Sequence, residues 1–199
     1  MAFIDHHDVF VGSTTDGHTF VTINRDLPAA HRILTRNGFT TREHQGRTLY
    51  LLPPTSAQEA HDRTGHALHE LLPHTMDIVD LSWTTRWMDS GPLPETGARF
   101  DLSEGRVTAT VDADAAREVL EQHAFQRTPT GYALPGETSE RESVGIVARA
   151  EIHLWALGHG VEVTLGIPTP DAIPPAPSRA SAPAPAQPPQ PATSKRHIR

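Results

Sequence analysis

The chain lacks cysteine altogether and contains few aromatic residues. With 199 residues and no cysteine, it can form neither disulfides, a thiolate nucleophile nor a cysteine-ligated zinc site. Its stability must therefore come from a packed core. A hydrophobic content of 37% suits one medium globular unit or two small ones.

Long apolar runs are also missing. No stretch approaches the roughly 20 apolar residues that span a bilayer. Residues 1–8 lack the basic and apolar regions of a secretory signal. We therefore expect a cytoplasmic protein that does not associate with membranes.

Positive charge is scarce before residue 168. The net charge is -7, but residues 168–199 contain one acid and four bases and so carry +3, which leaves -10 on residues 1–167. A surface of that sign repels a phosphate backbone. Any contact with nucleic acid is therefore expected to be local and weak, at the basic residues Lys195, Arg196 and Arg199.

Residues 168–199 consist mainly of proline, alanine, serine and glutamine. Such a segment buries too little apolar surface to offset the entropy of ordering, so the composition predicts a disordered Pro/Ala-rich tail. Proline keeps it extended, as a spacer that holds the basic end away from the body. Two interpretations stay open: a solvated tail of no specific use, or a contact with an acidic partner or nucleic acid.

The remaining sequence shows a faint internal duplication. Residues 17–23 lead into a helical pattern at 27–37, and residues 105–111 lead into a similar one at 114–123. Glycine turns at Gln45-Gly46 and Thr130-Gly131 then precede matching apolar runs, long helical patterns at 57–72 and 140–157, and a closing extended run. Each copy thus predicts strand, strand, helix, strand, strand, helix, strand.

These patterns predict an α+β fold of two tandem units, with antiparallel sheets that carry helices on one face. We place the first unit at residues 1–89, a Gly/Pro linker at 90–97, the second unit at 98–167 and the tail at 168–199.

The helix predicted at 140–157 is apolar on two faces. One stripe contains Val144, Val147, Leu154 and Trp155, and Ile146, Ala150 and Leu157 project from nearly the opposite side. A helix of this kind is buried on two sides. The second face is expected to pack on the other half of the chain, or to bind a protein partner or a second copy.

The 13 histidines are the most unusual feature, but their spacing favours solvated side chains over a metal site. His66 and His69 lie opposite the apolar stripe of their helix, and no His-Glu-x-x-His pattern accompanies them. Residues 5–8 contain the short Asp-His-His and His-Asp signatures of two classes of metal-dependent phosphoesterase. The further motifs those classes need are absent. No metal, no cofactor and no catalytic residue is predicted.

Trp83, Arg86 and Trp87 form the most distinctive cluster. Aromatic rings beside arginine stack on bases or anchor a protein partner. At a repeat junction they also serve to pin the two halves together.

The sequence thus favours a non-enzymatic binding or regulatory protein that presents a surface formed by both units. One alternative is a small metal-assisted hydrolase using His6, His7, His18 or His44 with Asp8, brought together by folding. The other is a nucleic-acid accessory protein that binds through the basic tail with Trp83, Arg86 and Trp87.

Overall fold

The computed structural model describes residues 2–82 and 95–177. Within these two ranges, ten strands and four helices follow one another in two series. The strands are β1 (Val9–Ser13), β2 (Thr19–Ile23), β3 (Thr40–His44), β4 (Arg47–Leu52), β5 (Ile78–Asp80), β6 (Thr96–Ser103), β7 (Arg106–Val111), β8 (Gln126–Thr128), β9 (Gly131–Ala133) and β10 (Gly160–Thr164). The helices are α1 (Ala30–Arg36), α2 (Ala57–Leu71), α3 (Asp114–Gln122) and α4 (Glu140–Ala156), with 3-10 turns at Phe3–Asp5 and Pro170–Ala172.

The two series form two five-stranded sheets with the same topology. Their strand orders are β3-β4-β2-β1-β5 and β8-β9-β7-β6-β10, so each strand of the first unit has a counterpart at the same place in the second. The predicted α+β fold and its tandem arrangement are confirmed. The hairpin turn predicted at Gln45-Gly46 has the positive φ angles, 46° and 83°, that a two-residue hairpin requires.

Each sheet is antiparallel except for its last strand. β5 pairs in parallel with β1, and β10 pairs in parallel with β6. The long helix that precedes each last strand carries the chain back across the sheet, which permits parallel pairing with the first strand. Alternating hydrophobicity within a strand carries no information on pairing direction, so this detail was not predicted.

The first sheet buries both of its faces. Alternate side chains of a strand point to opposite faces, and Val9, Val11 and Val21 pack with α1 and α2 on one face. Phe10 and Phe20 point to the other face, where they join a core that continues into the second unit. The two units therefore share one hydrophobic core.

Helix α4 is the element that the two units share. Its side chains Val144, Ile146, Val147 and Ala150 are at most 7% exposed. The helix contacts α3 and β10 of the second unit, and β5 and the Phe3–Asp5 turn of the first. Ser139 caps it by accepting a hydrogen bond from the backbone N–H of Glu142.

This arrangement corrects the predicted docking face on Ile146, Ala150 and Leu157. Ile146 and Ala150 are buried within the chain, at 7% and 0% exposure, and of the three residues only Leu157 is exposed. His153 lies on the same stripe and contacts His123 at the end of α3, so this face is turned toward α3 of its own unit and is covered there except at Leu157.

The chain stays packed beyond the predicted end of the second unit. Residues 165–177, here called the closing segment, cross the first sheet and reach the β3–β4 hairpin. Ile173 is 1% exposed, and its carbonyl lies 3.0 Å from Nε2 of His44. The prediction of disorder from residue 168 is therefore wrong for residues 168–177. The composition of the whole segment is poor in large apolar residues, but the single Ile173 is buried and anchors this part of it.

Other predictions fall partly or wholly outside the described residues. β6 begins at Thr96, within the proposed 90–97 linker, and residues 90–94 and 178–199 are not described. Within residues 2–82 and 95–177, no helix has both the length and the apolar character that crossing a membrane requires.

Candidate functional site

The most concentrated polar contacts lie where the two units meet. We define the polar clasp as His6, His7, Asp77, Glu140 and Arg141. Nδ1 of His7 lies 2.8 Å from Oδ1 of Asp77, and Nη2 of Arg141 donates to both oxygens of the same carboxylate at 2.9 Å. His6 completes the clasp, with Nε2 2.7 Å from Oε2 of Glu140. The clasp thus joins the start of β1, the start of β5 and the first turn of α4.

The charge on Asp77 is stabilised in the folded protein. Burial acts to raise the pKa of its carboxyl group, but hydrogen bonds from His7 and Arg141 outweigh burial, so the pKa is lowered. The carboxylate is therefore ionised at neutral pH. Because Asp77 contacts both His7 of the first unit and Arg141 of the second, its carboxylate serves to hold the two units together.

The histidines considered for a metal-assisted hydrolase do not converge. His6 and His7 lie in the clasp, His18 contacts Asp16 in the β1–β2 turn at 3.0 Å, and His44 contacts the closing segment. Asp8 accepts hydrogen bonds from Thr75 and Arg25 instead. Among residues 2–82 and 95–177, no group of three histidine or carboxylate side chains is placed to hold a metal ion.

A second histidine pair lies between α3 and α4. Nε2 of His123 is 3.3 Å from Nδ1 of His153, and the two rings are nearly perpendicular. Burial, His153 and Arg149 each lower the pKa of His123. The pair is therefore suited to a neutral hydrogen bond between the two helices.

An apolar cleft opens beside β5. We call it the edge cleft; it has a volume of about 340 Å³ and is lined by Ile78, Val79, Asp80, Ala148, Glu151, Ile152 and Trp155. Ile152 is 69% exposed, and together with Trp155 and Ile78 it forms an apolar patch in the cleft; a patch of this kind is more informative than a single exposed aliphatic residue.

The lining of the edge cleft follows a helical pattern in the sequence. Ala148, Ile152 and Trp155 are spaced i, i+4 and i+7, so they form a third stripe along α4. The apolar pattern alone predicts Trp155 on the buried stripe of Val144 and Val147. The structure places it in the cleft with Ile152, because two faces of α4 are already occupied.

A larger cavity lies at the opposite end of α4, and we call it the junction cavity. Its volume is about 490 Å³. The Phe3–Asp5 turn, the β6–β7 turn and the closing segment surround it. Most of its walls are apolar, and Glu104 and Glu140 contribute carboxylates.

The predicted binding residues themselves lie outside the described part of the chain. This applies to Trp83, Arg86 and Trp87 and to the basic residues Lys195, Arg196 and Arg199. Their roles stay predictions.

Comparison with known proteins returns no relative for this chain. No protein-family model matches it, and neither a curated protein nor a solved structure does so. The case for function therefore rests on the geometry alone.

Proposed function

We propose that the protein is a non-enzymatic binding module that captures an extended segment of another polypeptide in the edge cleft. The observation that carries this proposal is the exposure of Ile152 at 69% beside Trp155 and Ile78 in the same cleft. Large apolar side chains that line a concave surface are typical of protein-binding sites.

The backbone of β5 supports an extended partner. β5 is the last strand in the order of the first sheet, and among the described strands only β1 pairs with it. The outer edge of such a strand offers backbone donors and acceptors to an added strand. Main-chain pairing would give affinity, and side chains directed at the cleft would give specificity.

The side chains of α4 define what the partner presents. An extended segment places alternate residues on one side, so one or two apolar side chains of the partner would contact Ile152 and Trp155. We expect a partner segment that has apolar residues at alternate positions.

The first experiment places a photo-crosslinking amino acid at position 152 in the native host. The matched control is the same group at position 72, because Leu72 is also an exposed aliphatic residue, at 44%, but lies at the end of α2. The proposal predicts a defined adduct from position 152 that position 72 does not give. Mass spectrometry then identifies the partner and the segment attached.

The second experiment measures affinity for the purified partner. Ile152→Asp is expected to weaken binding by about tenfold or more, as truncation of an interface anchor does, whereas Leu72→Asp leaves it unchanged. Equal binding by both variants contradicts the proposal. An adduct between two copies of this chain, accompanied by a dimer in sedimentation, would replace the heterologous partner with a homodimer.

The metal-assisted hydrolase and the nucleic-acid accessory protein remain predictions from sequence. No contact among the described residues favours either of them over polypeptide binding.

A further inference from the structure

We propose that the junction cavity binds the basic segment Lys195–Arg199 of the same chain, which would keep that segment from other partners. The site is distinct from the edge cleft. Glu140 at the first turn of α4 lines the junction cavity, and Ile152 near its last turn lines the edge cleft. The two sites are thus separated by about 18 Å of helix.

The chemistry of the cavity fits a ligand that is both apolar and cationic. Its walls include Phe3, Leu102 and Ile167, which would receive an aliphatic side chain. The charged residues among its described lining are both acidic, Glu104 and Glu140. A cation that entered would therefore meet complementary charge.

The two carboxylates hold different positions around the cavity. Glu140 is fixed by His6 and has 28% of its side chain exposed. Glu104 lies on the β6–β7 turn with 81% of its side chain exposed, and its ion pair with Arg106 is open to solvent. Exposed ion pairs of this kind contribute little, so Glu104 can exchange its partner for another cation.

The basic segment carries the matching groups. Lys195, Arg196 and Arg199 supply positive charge. Ile198 directly precedes Arg199 and follows Arg196 by two residues. Residues 178–199 contain four basic residues and no acidic one. Ile198 would enter the apolar part of the cavity while neighbouring cations contact the carboxylates.

The last described residues of the chain lie close to the junction cavity. Pro174 lines the junction cavity. Its neighbours are anchored, because Arg47 donates to the carbonyl of Pro175 at 2.7 Å and the N–H of Ala176 donates to Gln45 at 3.1 Å. Pro177 follows Pro174 by three residues, so it lies within about 11 Å of it.

The intervening chain is long enough to return to the cavity. In the extended form that proline favours, residues 178–194 would reach about 50 Å, which exceeds the distance that they must cover. A Pro-rich chain keeps its direction over only several residues, so a segment of this length can turn back. Such a tether raises the concentration of the basic segment at the cavity above that of a separate molecule.

The experiment uses the full chain and its lack of cysteine. Ser194→Cys provides a single attachment point for a nitroxide spin label beside the basic segment. The proposal predicts that the label broadens the amide resonances of Leu102, Gly105 and Ile167 and leaves those of α1 unaffected. Reduction of the nitroxide should restore the signals.

Two variants test the two parts of the contact. Ile198→Asp removes the apolar anchor, and Glu104→Gln removes one carboxylate at an exposed turn; each should abolish most of the broadening. Glu118→Gln, a matched change of an exposed acid on α3, should leave it intact. Raising the salt concentration to about 1 M, where the Debye length is about 3 Å, should weaken it.

Three results would overturn the proposal. Broadening that is uniform or absent would show that the segment does not occupy the cavity. Broadening that survives Ile198→Asp but disappears with salt would indicate diffuse attraction to the acidic body. Broadening that is lost on dilution would assign the contact to a second copy of the chain.

Discussion

His7 and Asp77 lie 70 residues apart in the chain, yet Nδ1 of His7 is 2.8 Å from Oδ1 of Asp77. The contact fixes the start of β1 to the start of β5, the two strands that pair in parallel. Arg141, from the second unit, donates to the same carboxylate. One side chain therefore holds together two strands of one sheet and a helix of the other unit.

The first prediction concerns loss of that carboxylate. Asp77→Asn removes the charge that His7 and Arg141 contact, so the free energy of unfolding should fall by about 1–3 kcal/mol. Urea denaturation monitored by circular dichroism at neutral pH would measure the change. Glu118→Gln should stay within about 0.5 kcal/mol of the wild type.

The same contact predicts a dependence on acid. Because the pKa of Asp77 is lowered from 3.8 in the folded protein, its contribution to stability is present above that value and is lost as the pH falls through the folded pKa. The stability difference between wild type and Asp77→Asn should therefore shrink at the acid end. A difference that stays constant down to pH 2 would show that Asp77 acts through packing alone.

The second prediction concerns the pair of His123 and His153. Burial and the neighbouring His153 lower the pKa of His123 from 6.5, so folding favours its neutral form. Stability should therefore be highest above pH 6.5, fall as the pH drops from 6.5 to the folded pKa of His123, and level off below that pKa. The melting temperature of His123→Gln, measured across this range, should depend less on pH than that of the wild type.

The third prediction concerns the ion pair of Arg47 with Asp5. Their side chains are 7% and 2% exposed, with Nη2 of Arg47 2.6 Å from Oδ1 of Asp5. Within the described part of the chain, Nε and Nη1 of Arg47 have no hydrogen-bond partner. Removing one member of a buried pair leaves an uncompensated charge, so Asp5→Asn should cost about 3–5 kcal/mol.

Chemical denaturation would test this cost against an exposed pair. Arg106→Gln disrupts an ion pair whose side chains are 77% and 81% exposed, and it should change stability by less than about 1 kcal/mol. Similar losses of stability for Asp5→Asn and Arg106→Gln would show that the buried ion pair contributes no more to stability than the exposed one.

The fourth prediction compares two glycines. A Cβ added to Gly12 would lie 2.6 Å from Cδ1 of Leu165 and 2.8 Å from Cζ of Phe20, whereas one added to Gly65 in α2 would meet nothing within 4 Å. Gly12→Ala should therefore destabilise the protein by about 1–3 kcal/mol through overpacking. Gly65→Ala should stabilise it by about 0.5–1 kcal/mol, because alanine favours a helix. Thermal unfolding of both variants would measure the opposite signs, and a gain for Gly12→Ala would contradict the close contact with the closing segment.

The duplicated order of elements could be predicted because local patterns encode it. Glycine turns, helical stripes and alternating strands repeat in both halves, and their positions required no knowledge of distant contacts. The contact of Arg47 with Pro175 could not be predicted in this way, since it depends on where a proline-rich segment crosses the first sheet. Average composition described residues 168–199 as one class, although Ile173 anchors the first part.

The candidate sites were less predictable than the fold. The position of Trp155 in the edge cleft follows from the occupation of two other faces of α4, which depends on tertiary packing. The partnering of His7 with Asp77 likewise depends on the parallel placement of β5 beside β1. Both relationships arise only when distant elements have been brought together.

The core shared through α4 ties the stability of each unit to the presence of the other. If the second unit were deleted, the face of the first sheet that carries Phe10 and Phe20 would be exposed to water, and such a surface promotes aggregation. A chain cut between the two units is therefore expected to aggregate rather than to yield two independently folded domains.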